Sequence, residues 1–271
     1  MFFLNTGYPF LNPIIPLARY KLFLIIFSFF IGQNTKLKES KKFYDKNKII
    51  YLKPVIKSFN NKYNSITTGQ LIYHQLSKLK LERETKKIIL LAPETYFPFS
   101  LNKNKNMVKL WNNVLTNNTH LILGSQREER GNVNKKIFQT VFVLNRGRII
   151  DFYDKTHRVI FAEKIPYVLK NSKWSRSLFL NGKNEYFKGK QKSKKFKLNN
   201  FIICPKICSE FFYKIDLHKE INSDCVFLFV NDSWFMPYFR RILQNITKIY
   251  SIRLNLPIFY IGHFKLKLFN Q

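Results

Sequence analysis

Acidic residues are scarce in this chain of 271: 16 Asp and Glu stand against 47 Lys and Arg, for a formal net charge of +31. Such an imbalance leaves an anionic partner open. The cations are overwhelmingly Lys and lie scattered along the chain, without an Arg-rich groove motif, so nucleic acid is not the expected partner. Cysteine is also sparse. Cys204, Cys208 and Cys225 cannot all pair, and the first two sit close together in one apolar run, which excludes a disulfide framework. No second Cys or His pair stands at zinc-ligand spacing, so neither a metal nor another cofactor is expected. Long apolar runs are missing too. Residues 1–32 are apolar, but Pro13, Pro16, Arg19 and Lys21 leave only 22–32 uninterrupted, short of the about 20 residues that span a bilayer. No small-x-small cleavage site follows. The expectation is a membrane-associated segment over 1–32, a basic linker over 33–47 and one folded domain over 48–271.

What is present suits a packed core, since 45% of residues are hydrophobic and 17% aromatic. Strands are expected over 49–56, 87–92 and 120–124. Between them lie helices carrying Leu71, Ile72, Leu76 and Leu79, then Met107, Val108, Trp111, Val114 and Leu115, at three- and four-residue spacing. Next, 140–144 and 148–153 flank Asn145-Arg146-Gly147, which is hairpin chemistry and brings in antiparallel pairing. An irregular Lys-rich excursion over 170–195 precedes strands over 201–207 and 225–230. Phe211, Phe212, Ile215 and Leu217 mark a helix-length stretch between those strands. A last helix is expected over 237–254 and a strand over 258–261.

Three ionisable residues each stand where an apolar strand ends: Glu94, Lys155 and Cys208. Catalytic groups of α/β sheets gather at the carboxyl ends of strands, so this repeated placement argues for one shared cleft. Singly, each has an ordinary reading. Cys208 would be a small buried hydrophobe, as Cys204 and Cys225 are expected to be; Lys155 would be solvated; Glu94 would cap a following helix. His157 and His218 have no recognisable orienting partner, and a catalytic His is not expected.

The ordered words Leu91-Ala92-Pro93-Glu94-Thr95, Tyr153-Asp154-Lys155-Thr156-His157, Phe161-Ala162-Glu163-Lys164-Ile165-Pro166, Ile207-Cys208-Ser209-Glu210 and Asn231-Asp232-Ser233-Trp234-Phe235 together resemble the carbon-nitrogen hydrolase (nitrilase) superfamily. Within it, they resemble the catalytic domain of the apolipoprotein N-acyltransferases. The resemblance covers roughly residues 48–262. It implies an α/β fold, a nitrilase-like four-layer α-β-β-α sandwich, here C-terminally truncated so that the strand over 258–261 is left as an open edge.

That likeness also implies chemistry. Cys208 would attack an acyl ester as the nucleophile, and Glu94 would take the thiol proton and return it to the leaving alcohol. Lys155 would stabilise the oxyanion, with the backbone N–H after Cys208 as a second donor. Glu163 would orient Lys155 or the incoming amine. Ser209, Glu210, Asn231, Asp232, Trp234 and Phe235 would support the site, the last two either lining an acyl pocket or filling the core beneath it. The donor would be a phospholipid and the acceptor a lipoprotein N-terminal amine, at the bacterial inner (cell) membrane with the domain on the periplasmic side. The Lys cluster over 183–197 is either a solvated loop or a headgroup contact at the membrane surface. Ser209, Ala162 and Met236 depart from the residues usual in relatives. Two other readings remain: a soluble nitrilase-like amidase using water, or a catalytically degenerate basic binding protein.

Overall fold

Apolar runs that are hydrophobic at every position must be covered on both faces, and strand alternation decides which residue meets which cover. The computed structural model describes residues 46–55, 64–81, 86–131, 135–160, 163–169, 185–191, 194–211 and 222–270. The expected apolar segment, nearly all of the basic linker, the stretch after Phe211 and most of the Lys-rich excursion lie outside them.

One sheet has the order β1 (Asn47–Tyr51), β2 (Lys87–Leu91), β4 (Thr119–Glu129), β5 (Lys136–Asn145), β6 (Arg148–Asp154), and β3 (Phe97–Ser100) pairs with the far half of β4. β1, β2 and β4 run parallel, whereas β4, β5 and β6 are antiparallel neighbours. The β5–β6 turn places Arg146 at φ +50 and Gly147 at φ +63, the left-handed pair that a two-residue hairpin requires. A second sheet is ordered β11 (Leu266–Phe269), β10 (Ile258–Ile261), β9 (Cys225–Phe229), β8 (Phe201–Ile207), β7 (Phe196–Leu198).

Alternate side chains then sort into three cores. Ile89, Leu91, Val141 and Val143 meet Phe227, Phe229 and Phe259 between the sheets. Ile88, Leu90 and Phe142 face the opposite way, onto Ile72, Leu76 and Trp111 of helices α1 (Ser65–Ser77) and α2 (Lys105–Asn112). Val226, Leu228 and Tyr260 back onto Leu243 and Tyr250 of α3 (Pro237–Leu254). The layers are therefore α-β-β-α, as the sequence led us to expect. Asn64 starts α1 with a reciprocal capping box to Thr67, and Trp111 Nε1 donates to the Gly69 carbonyl at 2.9 Å, joining the two helices.

The short strands β3, β7 and β11 are additions to the expected set. β11 pairs antiparallel with β10 along its length, so the strand over 258–261 is not the open edge anticipated for it.

Candidate active site

The ends of β2, β6, β8 and β9 meet at one edge of the sandwich, with Glu94, Lys155, Cys208 and Asn231 placed just beyond them. Backbone and side-chain bonds fix this meeting across the two sheets: the Asn231 N–H donates to Glu94 Oε2 at 3.0 Å, and Asn231 Nδ2 donates to Thr95 Oγ1 at 2.8 Å.

Glu94 is 6% exposed. Its turn packs on Gly124 of β4, whose N–H donates to the Pro93 carbonyl at 3.1 Å. A Cβ at Gly124 would come 2.5 Å from Glu94 Cα and 2.7 Å from Pro93 O, so the close approach requires glycine. The chain leaves this turn into β3, so Glu94 caps no helix.

Lys155 is 1% exposed. Its Nζ lies 2.6 Å from Glu163 Oε1 and 3.6 Å from Glu94 Oε1, the latter a charge contact rather than a hydrogen bond. Glu163 Oε2 accepts from the Val159 N–H at 2.9 Å, which fixes the carboxylate that holds the ammonium. Burial alone would lower the Lys155 pKa, but Glu94, Cys208 and Glu163 outweigh it and keep the amine protonated. For Glu94, burial is the largest influence and raises the pKa; Lys155 opposes it, Glu163 adds to it, and the Asn231 N–H opposes it again.

Cys208 sits at φ +49, in the left-handed region, between the last residue of β8 and a single 3-10 turn, Cys208–Phe211. A non-glycine residue held there stores about 1–3 kcal/mol, a cost seen mostly where a side chain must be aimed. Burial, then the charges of Glu94 and Glu163, push the thiol pKa up to about 12, while Lys155 and the Ser209 N–H pull the other way. The thiol is thus neutral at physiological pH and can become a nucleophile only as a neighbouring base removes its proton. Cys204 and Cys225 are buried in β8 and β9 and are not joined in a disulfide.

Glu210 fastens the Lys155 end to the Cys208 end. Fully buried, it accepts from the Thr156 hydroxyl at 2.7 Å, the Ile207 N–H at 2.9 Å and the Tyr153 hydroxyl at 3.0 Å, and also from the Thr156 and His157 N–H groups. Glu210→Gln would turn one acceptor oxygen into a donor facing these donors. We expect it to cost about 1–3 kcal/mol, read as a melting midpoint lower by about 2–4 °C per kcal/mol for a domain of this size. A melt unchanged from wild type would show that the brace is dispensable.

The remaining expected residues divide. Asp232 is fully buried, accepting from the Tyr260 hydroxyl at 3.0 Å and the His263 N–H at 2.6 Å, and so anchors the Asn231 turn. Ser209 has a buried hydroxyl without a partner among the described residues. Trp234 and Phe235 are 76% and 38% exposed, which excludes the core-filling alternative; they begin an open apolar patch with Met236, Tyr238 and Phe239. His157 is exposed, and His218 lies outside the described residues.

Two features were not expected. Arg127 Nε donates to Asp154 Oδ1 at 2.8 Å in a buried bidentate pair, its guanidinium 4.4 Å and 4.7 Å from the Phe138 and Phe152 ring centres. The Thr140 hydroxyl also donates to Asp154 at 2.7 Å, so the residue preceding Lys155 is held by three hydrogen bonds from two residues. The second is Tyr186, whose N–H donates to the Glu163 carbonyl at 3.1 Å and whose hydroxyl accepts from Gln126 Nε2 at 3.2 Å. For Arg127 the signal was a charged residue within a strand; Tyr186 lies outside any strand and had none. Among the described residues, no group of His, Cys, Asp and Glu is arranged to hold a metal ion, and no helix is long and apolar enough to cross a membrane.

No family model matches the chain. Among curated proteins it is similar to the apolipoprotein N-acyltransferase of Aquifex aeolicus (strain VF5), with 28% identity over 195 residues, 69% of this chain and 41% of that one. With the apolipoprotein N-acyltransferase of Helicobacter pylori, identity is 23% over 204 residues, 75% of this chain and 46% of the relative. The chain spans less than half the length of these two relatives. Among solved structures, a mutant of the Nesterenkonia AN1 amidase from the nitrilase superfamily matches with a TM-score of 0.53 at 9% identity, covering 79% of this chain and 75% of the amidase.

Proposed function

From a nitrilase-type fold and a sequence related to curated apolipoprotein N-acyltransferases, we propose that this chain transfers an acyl group from a phospholipid to the N-terminal amine of a lipoprotein, through a thioester on Cys208. One observation carries the reading: Lys155 Nζ stands between Glu163 at 2.6 Å and Glu94 at 3.6 Å, with the Cys208 thiol inside the field of all three.

In the first half-reaction, the Cys208 sulfur bonds to the acyl carbon and the ester C–O bond breaks. The thiol proton passes to Glu94 and on to the departing oxygen, releasing a lysophospholipid. In the second half-reaction, the amine nitrogen bonds to the same carbon, the C–S bond breaks, and an amine proton returns through Glu94 to sulfur. Both steps pass through a tetrahedral oxyanion, for which the Lys155 ammonium is the nearby charge. A buried carboxylate of raised pKa suits a group that must both take and give a proton. The raised thiol pKa supports the same order, because sulfur then loses its proton only to Glu94 and only at attack. We place the chain at the bacterial inner membrane, its domain on the periplasmic side, where donor and acceptor would both be found.

The test is the intact mass of the full chain after incubation with vesicles of phosphatidylethanolamine and phosphatidylglycerol. The expected result is a gain of one acyl chain, removed by hydroxylamine as a thioester is, and absent in Cys208→Ala. No adduct on the wild type, or one that persists in the variant, would overturn the reading. Adduct formation from a small amide, discharged by water alone, would favour the amidase reading instead.

A further inference from the structure

Gln126, Gln139 and Lys155 form a row across three adjacent strand paths. Gln126 and Gln139 are direct partners in the β4–β5 register, so their side chains share a face. The Gln139 carbonyl accepts from the Lys155 N–H at 2.8 Å, one step beyond the Thr140–Asp154 pair. Alternation places the row on the face of Val141 and Val143, which looks between the sheets toward the reacting groups. Gln139 is only 7% exposed, and its buried Oε1 has no donor among the described residues. An unmatched acceptor at that depth is destabilising unless something else satisfies it.

Tyr186 complements it. Its oxygen accepts from Gln126, which leaves the phenolic proton to be given elsewhere. Its backbone is pinned on both sides, by its own N–H to the Glu163 carbonyl and by Arg158 Nη1 donating to its carbonyl at 2.6 Å. Burial, then Glu163 and Glu94, push its pKa up to about 12, so the hydroxyl stays a donor. Among the described residues, the cleft edge therefore carries one unused acceptor and one unused donor beside the Lys155–Glu163 pair.

We propose that Gln126, Gln139 and Tyr186 are the subsite for the first residue of the acyl acceptor, Gln139 Oε1 accepting from its amine and the Tyr186 hydroxyl donating to its carbonyl oxygen. The chemistry selects the acceptor over the donor lipid. The reacting ester of a phospholipid offers only acceptor oxygens, the donors of its headgroup lying many bonds away, whereas a peptide N-terminus offers an N–H on the reacting nitrogen itself with a C=O beside it. The two sides of Glu94 differ accordingly: Oε1 faces Lys155 and this polar row, while Oε2 meets Asn231, whose strand end leads to the exposed aromatics from Trp234 onward. The amine held by Gln139 keeps its lone pair for the thioester carbon and a second proton for Glu94. Gln126 acts through Tyr186 and is a positioning residue.

The inference rests on the acyltransferase reading, and measuring the two half-reactions separately tells their failures apart. Full-length wild type, Gln139→Leu and Tyr186→Phe are acylated from the same vesicles, then discharged with a diacylglyceryl-cysteinyl peptide, with the matching diacylglyceryl-cysteamine, which lacks the carbonyl, or with hydroxylamine. Acylation by vesicles and discharge by hydroxylamine should be unchanged in both variants. Discharge by the peptide should slow by about tenfold or more in each, the scale of one hydrogen bond, through a higher KM. Tyr186→Phe should leave discharge by the cysteamine compound at the wild-type rate, and Gln139→Leu should slow it. Wild-type discharge of the peptide by both variants would overturn the subsite, as would a parallel loss of acylation, which marks a structural role. Failure of the wild type to acylate would overturn the acyltransferase reading itself and the subsite with it.

Discussion

Lys155→Met is expected to abolish thioester formation and to lower stability at neutral pH, with both effects traced to one missing charge. Two buried carboxylates share this ammonium, Glu163 at 2.6 Å and Glu94 at 3.6 Å. Methionine fills nearly the same length without the charge, so packing is largely kept. The two acids then face each other uncompensated, and breaking a buried pair in this way costs about 3–5 kcal/mol, or roughly 10 °C of melting midpoint. The loss should depend on pH with a definite sign. Removing the cation takes away the charge that opposes burial at Glu94 and raises its pKa further, and an acid whose folded pKa is raised loses stability as pH climbs through that value. The deficit against wild type should therefore be small near pH 4 and large near pH 8, by thermal melts at about those two values. An equal deficit at both would mean that the damage is steric. Acylation should fall by about 10²–10³-fold or more, the usual loss for one oxyanion donor, followed by the rate of adduct formation at neutral pH and at a temperature below the variant's melting midpoint.

Much of this arrangement could be read from residues alone, and the limits of that reading are physical. Helices over 65–77 and 237–254 declare themselves through periodicity, and in the second Pro237 sits at the first turn while Asn255 closes the end at φ +51. Strands β2, β8 and β9 are too apolar to be anything but buried. By contrast, β3, β7 and β11 have three or four residues each, and only their partners make them strands. Strand ends brought Glu94, Lys155 and Cys208 forward, and the family resemblance added Glu163. Glu210 came with them as a neighbour in one word, and its bridging to Thr156 across 54 positions could not be read from that word. Gln126 and Gln139 needed the strand register first. Only after β4 and β5 are aligned is it evident that two amides occupy the inward face of an otherwise apolar alternation. For Trp234 and Phe235 the words left a lining or a core open, and only the turn held by Asp232, which carries both side chains outward, removes the core.

Glu94→Gln should separate chemistry from stability in the other direction. Wild type holds two carboxylates against one ammonium; the variant leaves Lys155 with Glu163 alone, a balanced pair. Glutamine keeps an oxygen for the Asn231 N–H but cannot take the Cys208 proton, so acylation should fall by about 10²–10⁴-fold, the range for loss of a general base. Loss of the Glu94 charge removes one influence that raises the thiol pKa, but burial, the largest, still raises it. The sign for stability follows from the raised Glu94 pKa, of which burial is the main cause. A raised folded pKa contributes stability below the unfolded value, about 4.5, and that contribution is lost as pH rises through the folded value. Glutamine resembles the protonated acid at every pH and escapes the loss. The variant should melt with wild type near pH 4 and above it near pH 8, by paired thermal melts at about those values. A variant that melted below wild type at the higher value would mean that Lys155 stabilises ionised Glu94 by more than burial costs it. The acceptor of the Cys208 proton would then be a carboxylate of lowered pKa, a poorer base than both half-reactions need.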